Sequence, residues 1–93
     1  MEFSWDSRKS EANLALRGFD FAFATLIFDG PTLERADTRQ DYGEPRVIAI
    51  GLAQGISLTV VYTDRSAGGR RIISARRSNR REREAYERAL EGR

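Results

Sequence analysis

The apolar positions of the chain follow a helical spacing before residue 31 and a strand-like spacing after it. At the very start, Met1–Trp5 alternates between polar and apolar side chains, which predicts a short strand. Asp6 and Gly18 are residue types that begin and end helices, and between them we predict a helix through about Leu16.

A second helix is predicted immediately after the first. Asp20 can cap its start, and the apolar run continues to Phe28, where Asp29-Gly30-Pro31 stops a helix. The run is apolar on nearly every side, which indicates that this helix is buried. The two helices together predict an N-terminal helical hairpin.

After Pro31 the chain is rich in β-branched residues, separated by turn residues. We predict one weak strand and three stronger ones: Thr32–Ala36, Arg46–Leu52, Ile56–Thr63 and Arg70–Arg77. The short connections between the last three strands favour antiparallel pairing in sequence order.

A final helix is predicted from Asn79, because Asn79 with Glu82 three residues later forms a capping box. Its apolar stripe consists of Ala85, Tyr86, Ala89 and Leu90. The fold class that follows is α+β: an N-terminal helical hairpin, a small antiparallel sheet of three to four strands and a C-terminal helix. The length, 93 residues, predicts a single domain over residues 1–93.

The composition excludes many enzyme mechanisms, because the chain has neither cysteine nor histidine. It therefore lacks thiol nucleophiles, disulfides, the commonest general base and the commonest zinc ligand. The longest apolar run, Phe21–Phe28, is far shorter than the ~20 residues that span a bilayer, and no signal-peptide pattern precedes it. We expect a cytoplasmic protein that does not engage a membrane and needs no cofactor.

Positive charge is concentrated in the last third of the chain. Ten of the 15 arginines lie in residues 63–93, where the net charge is +5, whereas residues 1–62 have a net charge of −3. The chain has a single lysine, Lys9, so arginine, whose planar fork suits phosphate, supplies almost all the positive charge. This polarity makes nucleic acid a leading candidate partner.

The candidate phosphate site is where the last strand leads into the last helix. Arg76 and Arg77 precede a helix N-terminus, which attracts anions, and Arg80 and Arg81 in its first turn can also touch RNA. Regular alternation places Arg71 and Arg77 on one face of the strand, with Arg76 on the other. The alternative is a charged edge strand that resists aggregation.

A second polar cluster, Asp37–Arg46, lies in the loop between the weak strand and the first strong one. The simplest interpretation is a turn in which Asp37 and Asp41 pair with Arg39 and Arg46. A magnesium site from these carboxylates is the alternative, but their spacing matches no known metal motif.

Several motifs, in this order and spacing, make the chain resemble the BrnT toxin family of bacterial type II toxin–antitoxin systems. They are Trp5-Asp6 with Lys9 and Asn13, Asp37-x-Arg39-x-x-Tyr42-Gly43-Glu44-x-Arg46, Ile48-Ala49-Ile50-Gly51, Val60-Val61-Tyr62-Thr63 and Arg71-Ile72-Ile73-Ser74-Ala75-Arg76-Arg77. The chain departs from the family at Leu16-Arg17-Gly18, where relatives usually have Lys-His-Gly, and at Gln40, where they often have histidine.

The resemblance implies a RelE-like fold and a ribonuclease that blocks translation. It also implies neutralisation by a cognate BrnA antitoxin, whose ribbon-helix-helix domain binds operator DNA, and we expect a heterotetramer of the two. Operator DNA is then contacted only through the antitoxin.

Without histidine, RNA cleavage that needs no metal must use other groups for proton transfer and for the charge of the phosphorane. Our hypothesis places Arg76 and Arg77 on the scissile phosphate, with Arg71 beside them. Glu44 is the candidate base, Tyr62 the group that donates or positions a proton, and Lys9 a second candidate acid or substrate contact. The alternative is a non-catalytic basic protein that only docks its antitoxin or nucleic acid.

Overall fold

The computed structural model describes residues 1–92 and contains a sheet with helices on both faces. The elements in chain order are β1 (Phe3–Trp5), α1 (Ser7–Arg17), α2 (Phe21–Ala24), a 3₁₀ turn (Thr25–Asp29), β2 (Leu33–Ala36), β3 (Val47–Ala53), β4 (Ile56–Asp64), β5 (Arg70–Arg77) and α3 (Arg80–Glu91). No helix within residues 1–92 is long and apolar enough to cross a membrane.

The strands form one mixed sheet in the order β1-β5-β4-β3-β2. The antiparallel pairing of β2 through β5 in sequence order is confirmed. The predicted sheet of three to four antiparallel strands is only partly correct, because β1 adds a fifth strand parallel to β5, with Trp5 beside Ile72. This pairing joins residues more than 60 positions apart, which no local pattern in the sequence indicates.

The N-terminal helices begin where the sequence predicts. The Asp6 carboxylate accepts hydrogen bonds from the first turn of α1, Gly18 ends α1 with a φ of 82°, and Asp20 caps α2. The predicted second helix to Phe28 is only partly correct, since α2 is a single turn that tightens into the 3₁₀ turn after Ala24. The helical hairpin is therefore one full helix followed by two short turns.

A β-bulge near Ile73 decides which arginines share a face of the sheet. Tyr62 of β4 pairs with Ile72, and the preceding Val61 pairs with Ser74, so one residue of β5 has no partner. The extra residue reverses the alternation on either side of it. The prediction that Arg71 and Arg77 share a face is therefore wrong, because Arg71 lies on the same face as Arg76.

We call the two sides of the sheet the core face and the α3 face. The core face packs under α1, α2 and the 3₁₀ turn, and its largest fully buried side chains include Phe21, Ile27, Leu58 and Ile72. On the other side, α3 lies against Ile48 and Ile50, leaving beside it a groove of about 470 Å³. The predicted capping box of Asn79 with Glu82 is present at the start of α3.

Candidate functional site

Arg76 lies on the α3 face, where the end of β5 meets the first turn of α3. Its Nη1 and Nη2 atoms donate to the two carboxylate oxygens of Glu82 at 2.7 and 2.8 Å. The same carboxylate accepts the Asn79 backbone N–H at 2.8 Å as part of the capping box. The helix cap therefore holds the arginine in one orientation.

The contact between Arg76 and Glu82 shifts both pKa values. Hydrogen bonding from Arg76, together with the Asn79 amide, overcomes partial burial and lowers the pKa of Glu82 to about 2. The hydrogen bond to Glu82 raises the pKa of Arg76, while the positive charge of nearby Arg39 acts in the opposite direction. Both groups are therefore charged at neutral pH, and Arg39 lies close enough for its charge to act on Arg76.

Arg39 is held by a second carboxylate. Its Nε and Nη2 atoms donate to Asp37 at 2.8 and 2.7 Å, and the Asp37 side chain is fully buried, whereas that of Arg39 is 66% exposed. Hydrogen bonding from Arg39 keeps the pKa of Asp37 well below its usual range despite burial, and the Tyr42 hydroxyl acts in the same direction. In return, this hydrogen bond raises the pKa of Arg39.

Each of these two arginines keeps one pair of donors free for an anion. A guanidinium can bind two oxygens through its Nη1 and Nη2 atoms or through its Nε and Nη2 atoms. Glu82 uses the first pair on Arg76, and Asp37 uses the second pair on Arg39. The Nε side of Arg76 and the Nη1 side of Arg39 therefore remain available for phosphate oxygens.

The Asp37–Arg46 loop carries further candidates to the same region. The Arg46 guanidinium lies 4.0 Å from the centre of the Tyr42 ring and donates to Glu44 at 3.2 Å. The predicted Asp37–Arg39 pair is confirmed. The predicted use of Asp41 as an ion-pair partner is wrong, since Asp41 accepts the Gly43 backbone N–H and Arg46 pairs with Glu44 instead.

The hydrogen bond from the Asp37 N–H to the Arg46 carbonyl, 2.8 Å long, extends the β2–β3 ladder by one residue. By strand alternation, this places Asp37 and Arg46 on the α3 face. We use the term arginine face for the region of the α3 face that carries Arg39, Arg46, Arg71 and Arg76.

Uncharged residues of β4 and β5 separate the arginines of this region. Arg76 pairs with Thr59 and Arg71 with Thr63, while Val61 and Ser74 lie between these two pairs. Thr59 and Thr63 are four residues apart on β4, which corresponds to about 13 Å along a strand. Arg71 forms no ion pair within residues 1–92. Arginines spaced along a surface of uncharged side chains can bind successive phosphates of a nucleic acid backbone.

Glu44 is a carboxylate of this region that is not committed to a buried pair. Its side chain is 38% exposed and is bound by Arg46. The group is open to an incoming hydroxyl. Among residues 1–92, no three carboxylates are arranged to hold a metal ion.

Two predicted catalytic residues lie away from the arginine face. Arg77 pairs with Leu58 and Tyr62 pairs with Ile72, and both pairs lie on the core face. Arg76 and Arg77 are consecutive strand residues and therefore extend to opposite sides of the sheet. The structure does not bring them together on one phosphate.

Tyr62 is buried in a polar cluster of its own. Its hydroxyl donates to Glu34 at 2.6 Å, and the Arg70 guanidinium lies 3.8 Å from the centre of its ring. Burial and the hydrogen bond to Glu34 raise the pKa of Tyr62 above its ordinary range. Only 3% of Tyr62 is exposed, so an RNA strand does not reach it in this conformation.

The other predicted RNA contacts are exposed but dispersed. Lys9 is on α1 beside Leu16 and Ile73, on the core-face side. Arg80 is paired with Glu84 on the outer surface of α3, and Arg81 lines the groove between α3 and β3. Of these three, Arg81 is next to the arginine face.

The sequence predicts a solvated turn for Arg39, Tyr42 and Arg46, whereas the structure places them at the arginine face. The spacing Asp37-x-Arg39 did contain a signal, because a buried carboxylate two residues before an arginine can fix its orientation. Burial of Asp37 depends on the tertiary fold, which explains why composition alone did not reveal it.

The chain matches a protein-family profile and is similar to a solved structure. A family profile described as "Ribonuclease toxin, BrnT, of type II toxin-antitoxin system" matches residues 5–82. The chain is similar to the 1.1 Å crystal structure of the Brucella abortus ribonuclease toxin BrnT, with 26% sequence identity and a TM-score of 0.62. That similarity covers 86% of this chain and 99% of the Brucella chain. A search of curated proteins by sequence finds no match.

Proposed function

Because the chain belongs to the BrnT family of ribonuclease toxins of type II toxin–antitoxin systems, we propose that it cleaves RNA on the arginine face without a metal ion and thereby inhibits translation. Membership of the family makes the chain a type II toxin with a protein antitoxin as partner. We propose, in addition, the location of the site, the chemistry of cleavage and the identity of the antitoxin.

One observation carries the location: Arg39 and Arg76 are each fixed by a carboxylate, and each retains a free pair of donors. Fixed donors stabilise the developing charge of a transition state more effectively than mobile ones, because little reorganisation is needed. We therefore assign the scissile phosphate to Arg76 and Arg39. Arg71 and Arg46 flank Thr63 of β4, further along the arginine face from Arg76, and can bind a neighbouring phosphate of the RNA.

In-line attack by the 2′-hydroxyl needs a base, and Glu44 is a solvent-exposed carboxylate in contact with Arg46 of the arginine face. In the mechanism that we propose, Glu44 takes the proton of the 2′-hydroxyl and the arginines neutralise the phosphorane. A solvent molecule or an arginine-bound water protonates the departing 5′-oxygen. Arg77 and Tyr62 have no place in this step, since they lie on the core face.

The antitoxin that we propose is of the BrnA type, with a ribbon-helix-helix domain that binds operator DNA. We expect the toxin and antitoxin to form a heterotetramer. The support for this assignment is membership of the family, and it is tested by purifying the complex and measuring its mass with and without operator DNA.

The test of RNA cleavage uses RNA in large excess over protein, with and without excess EDTA. The wild-type chain should turn over many RNA molecules, and Arg76→Ala, purified identically, should not. A wild-type chain that binds RNA without cutting it would instead favour the non-catalytic alternative, in which the arginine face only docks an anionic partner. Loss of cleavage by the wild type on adding EDTA would refute metal independence.

A further inference from the structure

Helix α1 is attached to the protein by polar rather than apolar side chains. Its two buried residues are Ser10 and Asn13. The Ser10 hydroxyl accepts the Phe21 N–H at 3.0 Å, and the Asn13 amide donates to the Phe19 carbonyl at 2.9 Å. These bonds satisfy backbone groups at the turn into α2, so they account for a polar buried side.

The leucines of α1 face outward instead. Leu14 is 50% exposed and Leu16 is 77% exposed, although both are among the largest apolar residues of the helix. Two positions along a helix corresponds to about 200° of rotation, so the two side chains lie on opposite flanks. The stability of the fold does not explain an exposed leucine on either flank.

The Leu14 flank borders a groove of about 420 Å³. Phe19, Phe23 and Ile56 provide its apolar lining opposite Leu14, and Arg77 stands at its rim. We call this feature the Leu14 groove. It combines apolar surface with one cation, Arg77, and one carboxylate, Asp20, and such a mixture of apolar and polar groups is found in protein-docking sites.

The charges around the groove indicate the chemistry of what binds there. The Arg77 side chain forms no hydrogen bond or ion pair within residues 1–92, whereas the carboxylate of Asp20 is engaged as the cap of α2. Arg77 is therefore a charged group of the groove whose side chain has no partner within residues 1–92, and a carboxylate of the bound segment complements it.

We propose that the Leu14 groove docks a segment of the antitoxin, which inserts an apolar side chain between Leu14 and Phe23 and places a carboxylate on Arg77. The proposal rests on the antitoxin partner of the proposed function. RNA fits less well, because the groove offers one unpaired arginine where a phosphate backbone requires several.

The groove and the arginine face lie on opposite sides of the sheet, because Arg77 and Arg76 are consecutive residues of β5. Antitoxin docking and RNA cleavage should therefore be separable by mutation. A variant of Leu14 changes the first without touching a residue that we assign to the second.

The experiment measures binding of the purified antitoxin encoded next to the toxin gene, by calorimetric titration of wild-type chain, Leu14→Glu and Leu16→Glu. Leu14→Glu should weaken binding about 10- to 100-fold, the affinity equivalent of burying one leucine side chain next to a carboxylate-binding site. Leu16→Glu introduces the same change on the opposite flank and should bind within about threefold of wild type. Arg77→Gln should weaken binding and reduce its dependence on salt.

Circular dichroism spectra and RNA cleavage by the isolated variants provide the remaining controls. Leu14→Glu should keep the wild-type spectrum and cleavage rate, since both leucines are solvent-exposed. Wild-type affinity in Leu14→Glu, equal losses in both leucine variants, or no binding by the wild type would each overturn the proposal. Absence of RNA cleavage by every protein, with selective loss of antitoxin binding by Leu14→Glu, would refute only the catalytic part of the proposed function.

Discussion

Replacing Glu82 by glutamine tests whether the carboxylate fixes Arg76 as the structure indicates. Glutamine at this position still accepts the Asn79 N–H, so the capping box is preserved and only the charged contact with Arg76 is lost. The variant therefore separates the ion pair from the helix cap, which an alanine substitution would remove together.

The magnitude follows from the pKa of Glu82, which falls from 4.5 to about 2 on folding. At 1.36 kcal/mol per pKa unit, the shift corresponds to an upper limit of about 3 kcal/mol. The Arg76 side chain is 45% exposed, so solvent screening reduces the expected loss of unfolding free energy to about 1–2 kcal/mol at pH 7. Because folding lowers this pKa, the contribution is complete above pH 4.5 and disappears as the pH falls towards 2.

The assay is urea unfolding of wild type, Glu82→Gln and Glu84→Gln at pH 7 and at several values between 4.5 and 2. Glu84 pairs at i,i+4 with Arg80, whose side chain is 86% exposed, and this pair should contribute less than about 0.5 kcal/mol. The gap between wild type and Glu82→Gln should close as the pH falls. Equal stability at pH 7, or a gap that persists unchanged to pH 2, would refute the assigned ion pair.

Three other substitutions test the fold around the site by urea unfolding. Tyr62→Phe should cost about 1 kcal/mol, the usual value of a hydrogen bond, and an unchanged midpoint would contradict the 2.6 Å contact. Gly51→Ala should lower the free energy of unfolding by about 1–3 kcal/mol, because the added Cβ would lie 2.9 Å from Cβ of Ile27. Gly30→Ala is its control, since a Cβ at Gly30 meets no atom within 4 Å. Asn13→Ala should cost about 1–3 kcal/mol by leaving a buried carbonyl unpaired, and near-wild-type stability would argue against polar attachment of α1.

Local sequence signals were sufficient to predict where most of the helices begin and end. Asp6, Asp20 and Asn79 each cap the helix that they were predicted to cap, and Gly18 adopts the left-handed conformation that ends α1. These residues act through bonds to backbone groups only two or three positions away, so neighbouring residues contain the information.

Tertiary contacts decided what the sequence alone left undetermined. The pairing of β1 with β5 and the bulge near Ile73 both depend on the assembled sheet, and the bulge alone transfers Arg71 to the face of Arg76. The sequence predicts an exposed turn at Asp37, but the buried Asp37 carboxylate holds Arg39 in one orientation. The family motifs drew attention to the relevant segments, but not to the face on which each side chain lies.

The central claim, that RNA is cleaved on the arginine face, is tested most directly by comparing Arg76→Lys with Arg77→Lys in kcat/KM for RNA cleavage. The two substitutions are identical and adjacent in the chain, but they lie on opposite faces of the sheet. Lysine retains the charge and loses the fixed pair of donors, so Arg76→Lys should lower kcat/KM about 10- to 100-fold, whereas Arg77→Lys should stay within about threefold of wild type. Equal losses in the two variants, or a larger loss in Arg77→Lys, would contradict the account.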